Sequence, residues 1–436
     1  MRRRRFFVLI LAFVAFLAGL ATGRDILFNV SYMLALLLIL SFLWAWVNIN
    51  WLYVSRVTRT RRTQVGRPLE ERFSIRNTSR IPKLWLQVQD FSTVPGHYAS
   101  HVINGLAPRG TYNWRVYTTC RLRGRFQLGP VRITTSDPFG LFEMERYLEA
   151  TSNVVVYPAT VPVTQFILPA GLLPGGDALR RRTHYVTTNA SGVRDYSPGD
   201  SFNRIHWRST ARRNRLVVKE FELDPLADIW VVPDMSSLFQ YGSFTPGSDP
   251  FEQDTRAEKR ERYERIRRSR KLEDETIELP QSTEEYIVTI AASIAQYFLR
   301  IDRSVGMLAY GQSHEVVQPD RGERQLSRIL ETLAVMRAEG IVPLQDLLHA
   351  EQGLLPKGTT VISISATTDP LWANATRELG RRGSRVVAIQ LEPESFGGEG
   401  SGASMLPLLQ MNRVPTYLIK YGDDLGPVLS QKVTLY

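Results

Sequence analysis

The segment from Arg194 to Glu222 carries a dense set of side chains that could do chemistry. It combines carboxylates, an imidazole and many cationic groups over a short stretch of chain. Carboxylates and imidazoles transfer protons when their pKa values are tuned, and guanidinium groups bind phosphates and carboxylates through paired hydrogen bonds. The candidates for acid–base or anion chemistry are Asp200, Arg204, His206, Arg208, Arg212 and Lys219.

A turn and a helix are predicted to position these groups. Pro198-Gly199 is a strong turn signal, because proline presets φ for the first turn position and glycine accepts the second. Asp200 or Ser201 then caps a helix predicted over Phe202–Arg213, and a strand is predicted from Leu216 to Leu223.

Arginines recur at four-residue intervals in this helix, so they would stack on one face that could hold an anion or an acidic partner. They are Arg204, Arg208 and Arg212. A structural interpretation stays open beside this one. In it Asp200 caps the helix and pairs with Arg194, Trp207 packs beneath the adjoining domain, and His206 is structural.

The same segment resembles the signature of a bacterial family known as domain of unknown function 58. The matching residues are Arg194, Tyr196, Pro198, Gly199, Asp200, Arg204, Ile205, Trp207, Ala211, Arg212, Leu216, Val218, Lys219 and Glu220. A second block also matches, formed by Arg123-Gly124, Leu128-Gly129-Pro130 and Asp137 to Phe142. The resemblance implies two N-terminal membrane helices, a β-domain, a von Willebrand factor A-like domain and a MoxR-type ATPase as partner. It brings no assigned reaction.

The resemblance directs attention to a second group, Asp234 and Ser236, which follow a predicted strand. Von Willebrand factor A-like domains that bind Mg²⁺ use Asp-x-Ser-x-Ser at this place, since a hard cation needs oxygen ligands. Leu238 stands where the last serine would be, and Asp369 is the nearest substitute for a further acidic ligand. A degenerate magnesium site is therefore the prediction, with a rim that could still bind protein.

Several other kinds of site are excluded by the sequence. It holds none of the glycine-rich motifs that cradle nucleotides and no G-x-S-x-G. Cys120 is the single cysteine, so neither an intrachain disulfide nor a thiolate metal site can form. The six histidines show no metal-ligand spacing.

The formal charge of +11 is concentrated at the N-terminal end of the chain. Residues 1–62 contain nine arginines and one aspartate, which leaves the remainder close to neutral. Arginines of this kind flank membrane segments, so a general nucleic-acid-binding function loses its main support. A basic stretch at Gly171–Phe221 is the exception, and it keeps nucleic-acid binding as a third hypothesis.

Two uncharged runs in residues 1–62 predict a transmembrane hairpin, with helices over about 6–23 and 30–54. Trp44, Trp46, Trp51 and Tyr53 would form an interfacial belt near its end. Because both outer flanks are rich in arginine, the positive-inside rule predicts a multi-pass protein of the cytoplasmic (inner) membrane whose large domain faces the cytoplasm. A cleaved signal peptide at the first run is the alternative, and it leaves the large domain on the same side.

The rest of the chain is predicted to form two domains. Apolar and polar residues alternate with period two over residues 63–160, which predicts an antiparallel β-sandwich-like domain. A connector carrying the signature spans 161–227, and apolar strands alternate with helices over 228–436. That alternation predicts a mostly parallel α/β sheet, von Willebrand factor A-like by the resemblance, interrupted by a charged insertion at 238–283.

The sequence favours a membrane-anchored cytosolic protein-interaction module that is not an enzyme. By the resemblance it works with a MoxR-type ATPase to assemble or activate a client or a cell-envelope process, and a transglutaminase-like membrane protein is a second candidate partner. The partner-binding residues are predicted to be Arg194, Tyr196, Gly199, Asp200, Arg204, Trp207, Arg208, Arg212, Lys219 and Glu220. The alternative is a Mg²⁺-dependent enzyme or a metal-gated adhesion switch centred on Asp234 and Ser236. No other cofactor is predicted.

Overall fold

The structure is a computed structural model, and it describes residues 2–166, 190–196, 205–213, 215–221, 228–242 and 279–431. Two apolar helices come first, α1 (Arg2–Thr22) and α2 (Asp25–Ile49), and they pack side by side. Ser31 Oγ donates to the Ala12 carbonyl at 3.0 Å across the pair. Most of their large apolar side chains are exposed, and by length and composition each helix could cross a bilayer.

The second helix is displaced from the prediction of 30–54. It begins at Asp25 and ends at Ile49, and Leu52–Thr58 forms strand β1 instead. The absence of charge in this run suggested one long helix, but Leu52–Thr58 pairs antiparallel with the later strand Pro68–Asn77. Trp51, with φ of 60°, makes the turn between the two elements.

Ten strands follow the helices, and the predicted β-rich region is confirmed. After β1 they are β2 (Arg62–Gln64), β3 (Pro68–Asn77), β4 (Lys83–Asp90), β5 (His101–Leu106), β6 (Thr111–Thr119), β7 (Gly124–Leu128), β8 (Val131–Ser136), β9 (Glu143–Leu148) and β10 (Ser152–Tyr157). They form three sheets, in the orders β1-β3-β6, β2-β10-β7 and β5-β4-β8-β9.

The core of this β-domain lies between sheets. Phe73 and Ile75 of β3 pack in one cluster with Leu86 of β4 and Ile133 of β8, and all four are buried. Their positions alternate with more exposed residues along each strand, so each sheet turns one face inward.

A buried polar cluster joins three parts of the β-domain. The Arg56 guanidinium donates to Glu71 at 2.8 Å and to Asp90 at 2.9 Å, and His97 Nε2 lies 2.9 Å from Asp90. All four side chains are almost completely buried. The paired charges satisfy one another, which a buried ion needs in order to be tolerated.

The signature region contributes a two-stranded antiparallel sheet, β11 (Ala190–Asp195) with β12 (Val217–Phe221), and a short helix α3 (Trp207–Arg213). The predicted helix over Phe202–Arg213 is wrong at its start, because Ile205 forms a β-bridge and His206 is not helical. The predicted caps Asp200 and Ser201 lie outside the described residues.

Six further strands form one sheet in the order β15-β14-β13-β16-β17-β18. They are β13 (Ile229–Pro233), β14 (Val305–Tyr310), β15 (His314–Asp320), β16 (Thr360–Ser365), β17 (Arg385–Leu391) and β18 (Thr416–Ile419). All neighbours pair in parallel except β15, which runs antiparallel to β14 at one edge.

Helices cover both faces of this sheet. They are α4 (Thr283–Arg300), α5 (Gly322–Val335), α6 (Leu344–Ala350), α7 (Pro370–Arg381), α8 (Met405–Met411) and α9 (Leu425–Ser430). One core contains Ile290 of α4 and Leu333 of α5, and the core on the other face contains Trp372 of α7 and Leu409 of α8. The charge-dense part of the predicted insertion, Arg256–Glu275, lies outside the described residues.

The described residues between the two domains pack against the α/β domain. Val163 and Phe166, in the predicted connector, belong to the core of the α/β domain. The Phe166 ring stacks on Tyr417 at 5.2 Å, and Arg300 donates to the Val163 carbonyl at 3.1 Å. The first residues of the connector therefore belong to the second domain.

Arg123 makes the main polar contact between the domains. It lies just before β7 of the β-domain, is fully buried, and donates to Glu284 and Glu285 in the first turn of α4. It also donates to the carbonyls of Leu333 at 3.0 Å and Met336 at 2.7 Å. Burial alone would lower the pKa of Arg123, but the two carboxylates outweigh it and raise that pKa.

We expect the Arg123→Gln variant to unfold at a temperature lower by roughly 5–10 °C, because removing one partner of a buried ion cluster costs about 3–5 kcal/mol. Thermal unfolding of the full chain in detergent measures this. The matched control is Arg125→Gln, in the adjacent strand, whose side chain is exposed and should contribute less than about 0.5 kcal/mol. Equal unfolding temperatures for the two variants would show that the buried Arg123 cluster does not stabilise the junction between the domains.

Candidate functional site

The candidate site lies at the carboxyl ends of β13 and β16, neighbouring strands at the centre of the sheet. Open α/β sheets bind their ligands at this edge. Asp234 follows β13, and its carboxylate accepts from the Ser236 amide at 3.0 Å and from Ser365 Oγ at 2.5 Å. Gln240 Nε2 donates to the Asp234 carbonyl at 3.0 Å. Asp234 is therefore held by two strand ends and by the turn that follows it.

Asp234 is 2% exposed, and this burial has the largest effect on the pKa of its carboxyl group. Burial raises the pKa of Asp234 to about 6, against the lowering effect of the hydrogen bonds from Ser365 and Ser236. Among the residues that the structure describes, no basic side chain is recorded in an ion pair with this carboxylate. Near neutral pH the group is thus a buried carboxylate stabilised by neutral donors only.

The other predicted ligands are engaged as structural caps. Ser236 Oγ accepts from the Leu238 amide at 3.4 Å, and Leu238 itself is largely exposed on the following turn. Asp369 accepts from the Leu371 amide at 2.9 Å as the N-cap of α7 and from Gln345 Nε2 at 3.0 Å. Thr367 Oγ1 accepts from the Asp369 amide.

This donor set does not fit a resident magnesium ion. Magnesium needs a near-octahedral array of oxygen ligands, and the Asp234 carboxylate already accepts hydrogen bonds from Ser236 and Ser365. Within the described parts of the chain, no group of three or more His, Cys, Asp or Glu side chains could hold a metal. The hydrogen bonds of Asp234 join the end of β13 to the end of β16.

The signature residues that are described lie on a different surface, around β11, β12 and α3. Arg194 pairs with Val218 along the two strands, and Lys219 and Glu220 pair with Val193 and Gly192. The Tyr196 amide donates to the Leu216 carbonyl at 2.9 Å. Gly199, Asp200 and Arg204 lie outside the described residues.

His206 holds the start of α3. Its Nδ1 accepts from the Ser209 amide at 3.2 Å and lies 2.7 Å from Ser209 Oγ, while its own amide donates to the Val217 carbonyl at 2.8 Å. His206 thus takes the capping position that was predicted for Asp200, and it joins the helix to β12. The structural interpretation of His206 agrees with these contacts.

The position of Trp207 on α3 differs from the one that the structural interpretation predicted. Trp207 was predicted to pack beneath the adjoining domain, but it is 67% exposed, while Ile205 is buried. Arg208 and Arg212 are exposed beside it, one turn apart. The described helix begins at Trp207 and carries Arg208 and Arg212 of the predicted three-arginine stack, whereas Arg204 lies outside the described residues.

The residues of the second signature block shape tight turns and loops of the β-domain. Gly124 has φ of 152°, and an added Cβ would lie 3.1 Å from the Phe126 ring. At Gly129 an added Cβ would lie 2.5 Å from the Ala150 carbonyl oxygen. Asp137 accepts from three amides of its own loop, those of Phe139, Leu141 and Phe142. The resemblance was the signal for these residues, since neither period nor charge pattern marks them.

Comparison with known families gives one match to a family model. The family described as "Protein of unknown function DUF58" matches residues 192–249. The matched range contains β12, α3, β13 and Asp234, so it joins the exposed helix to the braced strand end.

A curated relative extends this match. The uncharacterized protein YeaD of Bacillus subtilis (strain 168) is 22% identical over 231 residues, which is 53% of this chain and 47% of the relative. The chain thus matches about half the length of that protein. Together with the family model, this likeness supports the DUF58 family for the chain.

Solved structures show only weak likeness. The CARDB domain of the PF1109 protein from Pyrococcus furiosus is 16% identical, with a TM-score of 0.19, and the match covers 24% of this chain and 86% of that chain. The alkylpurine DNA glycosylase AlkC of Pseudomonas fluorescens is 14% identical, with a TM-score of 0.18, and the match covers 32% of this chain and 41% of that chain. Likenesses at these scores carry no argument about fold or function.

The Asp234→Asn variant should be more stable than the wild type at neutral pH. A carboxyl whose pKa rises from 3.8 to about 6 on folding stabilises the folded chain fully below pH 3.8, and this contribution is lost as the pH rises through 6. The ionised group then costs up to about 3 kcal/mol, which an amide of the same shape avoids. Unfolding temperatures of both proteins between pH 4 and 7.5 measure the difference.

The stability difference between Asp234→Asn and the wild type should vanish towards pH 4 and level off above pH 7. Asp302→Asn is the control, because Asp302 is exposed and should show no such trend. If Mg²⁺ instead stabilises the wild type at pH 7 and not Asp234→Asn, the carboxylate is a metal ligand and the structural account of the site is wrong.

Proposed function

We propose that this protein is a non-enzymatic protein-interaction module, anchored in the bacterial inner membrane by α1 and α2 and facing the cytoplasm. The observation that carries the proposal is the exposed face of α3, where Trp207 stands 67% exposed beside Arg208 and Arg212. We name these three residues the α3 face. It lies within the range matched by the family model.

The chemistry of the α3 face favours a protein partner. Tryptophan and arginine are enriched among the residues that dominate binding energy at protein interfaces. An indole with two neighbouring guanidinium groups suits an acidic surface, since arginine binds carboxylates through paired hydrogen bonds. His206 and the β11–β12 pair fix the start of the helix, so the α3 face has a defined position.

The proposed partner is a MoxR-type ATPase, as the family resemblance suggests. This chain contains no glycine-rich nucleotide motif, so a partner would have to supply the energy for any remodelling of a client. The outcome we propose is the assembly or activation of a client protein or a cell-envelope process. A transglutaminase-like membrane protein is a second candidate for the assembly.

The α/β domain is proposed to be von Willebrand factor A-like. Its sheet order, with β13 central and β15 antiparallel at the edge, supports that assignment, as does the position of Asp234 and Ser236 after the first strand. On this proposal Asp234 occupies the place of a metal ligand but braces the strand end. A Mg²⁺-dependent switch at Asp234 is the alternative, and the magnesium experiment above distinguishes the two.

Co-purification from solubilised membranes should recover a MoxR-type ATPase with the wild-type protein, and the Arg208→Glu/Arg212→Glu double variant should lose at least tenfold of it. Two like charges facing an acidic surface cost several kcal/mol, which exceeds the roughly 1.4 kcal/mol that corresponds to a tenfold change. Quantitative mass spectrometry of the eluate gives the ratio of ATPase to bait.

The control for this experiment is Arg377→Glu/Arg381→Glu, another exposed arginine pair one turn apart, on α7. It makes the same change in net charge and should leave recovery unchanged. Equal recovery for both double variants would remove the α3 face from the interface, and no ATPase with the wild type would remove the partner itself.

Reporter fusions should place both ends of the hairpin on the cytoplasmic side. Arginines flank α1 at its start and follow α2, whereas the connection between the helices carries Arg24 and Asp25 only. An alkaline phosphatase fusion after Arg62 should therefore be inactive, and a fluorescent protein fused there should be bright. A fusion within the connection at Gly23 is the matched control and should give active phosphatase. The opposite pattern would invert the topology.

A further inference from the structure

The β-domain is joined to the end of α2 by polar contacts that fix its distance from the helices. The Leu84 amide donates to Asn48 Oδ1 at 2.9 Å, and Asn48 Nδ2 donates to Thr135 Oγ1 at 2.7 Å. Lys83 donates to the Val47 carbonyl, one of the carbonyls that the end of α2 leaves without a helical partner. The β3–β4 turn therefore lies directly beside the last turn of the helix.

A second loop of the β-domain reaches further along the helices. The Phe142 ring contacts Phe42 of α2 at 5.6 Å, and Gly140 lies close to Arg4 of α1, whose Nη1 would be 3.7 Å from an added Cβ. Phe42 precedes the end of α2 by seven residues, which is about 10 Å along the axis. The Asp137–Phe142 loop thus stands beside the helices at the level of the N-terminal arginines.

The level of these loops follows from helix length. At 1.5 Å per residue α2 is roughly 37 Å long, while the hydrocarbon core of a bilayer is about 30 Å thick. If the Arg24-Asp25 connection lies at one interface, the last turns of α2 pass through the other one. The β3–β4 turn then lies in the headgroup layer, and the Asp137–Phe142 loop, which contacts Phe42 about 25 Å along α2, lies at the inner boundary of that layer.

Both loops turn large apolar side chains outward at this level. Ile81, Leu84 and Trp85 in and beside the β3–β4 turn are 48%, 44% and 63% exposed, and Phe139 is 60% exposed. We name these four residues the collar. Trp46 and Trp51, at the end of α2, are also exposed, and their ring centroids lie 5.4 Å apart. Exposed cations, Arg3, Arg4 and Arg80, accompany them.

Asp137 is the residue that turns Phe139 outward. Its buried carboxylate accepts from the amides of Phe139, Leu141 and Phe142 at 2.9, 2.7 and 2.6 Å. With Leu141 buried beneath the loop and Phe142 against α2, the loop tip leaves Phe139 outside. A loop that is closed by its own carboxylate needs no partner to hold this shape.

We infer that the collar inserts into the lipid interface, so that the β-domain lies on an anionic bilayer surface instead of hanging from it by the helices alone. This inference rests on the membrane anchoring proposed above. Aromatic side chains with a cationic surround are typical of membrane interfaces, where rings sit at headgroup level and arginines attract anionic lipids. The contacts of both loops with the ends of the helices leave the lipid headgroups as the medium that meets these side chains.

The test uses the full chain reconstituted in vesicles of phosphatidylcholine and phosphatidylglycerol that carry a lipid quencher near the headgroup. An environment-sensitive fluorophore is attached to Phe139→Cys or Ile81→Cys, in separate proteins. Native Cys120 is buried, and burial together with nearby Glu71 raises the pKa of its thiol to about 12, so labelling is confined to the introduced cysteine. Both labels should be quenched by the lipid and protected from aqueous iodide by at least threefold.

Two controls separate this inference from the anchoring on which it rests. Tyr98→Cys labels a residue that is 78% exposed beyond the far end of β4, roughly 25 Å from the collar along the strand, and should be quenched by iodide only. Leu36→Cys labels the middle of α2 and should be protected from iodide. If Leu36 is open to iodide, the anchoring fails. If Leu36 is protected while positions 139 and 81 behave like position 98, the collar inference alone is overturned.

A positioning variant tests the role of Asp137. In the Phe139→Cys background, Asp137→Ala should lower lipid quenching at position 139 at least twofold, because the loop loses three hydrogen bonds, and should leave quenching at position 81 unchanged. Unchanged quenching at position 139 would show that the loop tip does not depend on Asp137. A protein partner covering the collar would protect both labels from iodide without any lipid quenching, and that outcome would also overturn the inference.

Discussion

The buried arginine at the domain junction is the interaction on which the architecture depends. Arg123 is fully enclosed and its charge is balanced by two carboxylates from the first turn of α4, with Arg337 completing the cluster. An ion in this position is tolerated only if every partner stays in place, since an unpaired charge in the same surroundings would be very costly. The β-domain and the α/β domain are therefore expected to move as one body.

Rigidity at this junction links the ends of the molecule. The residues after β10 enter the core of the α/β domain through Phe166, so the covalent connection is itself packed. At the other end of the β-domain, Asn48 and Lys83 tie the strands to α2. A force on the α/β domain, or a tilt of the helices in a bilayer, would therefore be transmitted through these two polar junctions. The described segments that connect them are packed and form no flexible linker. On the proposed function, this connection would hold a bound partner at a fixed distance from the bilayer.

Sequence periodicity predicted the elements whose stability comes from local patterning. The alternation at Phe73 and Ile75 marks a strand because one face of β3 is buried and the other is not. The uncharged residues 52–54 were predicted as membrane helix, and this is wrong because they begin β1, which pairs with β3. Arg123 could not be recognised by pattern, since its partners lie more than 160 positions away, and only its family resemblance singled it out.

The signature segment illustrates a different limit, because charge density does not distinguish a reactive group from a supporting one. The His206 ring, a candidate acid–base group, accepts a hydrogen bond at the start of α3, and the Asp234 carboxylate, a candidate ligand, accepts hydrogen bonds from Ser236 and Ser365. Among the described side chains of the signature, Trp207, Arg208 and Arg212 lie exposed on α3. Trp207 is 67% exposed on a helix whose start is fixed by His206 and β12, so the position of the indole is defined. On the proposed function, this outward face is the part of the signature segment that meets a partner.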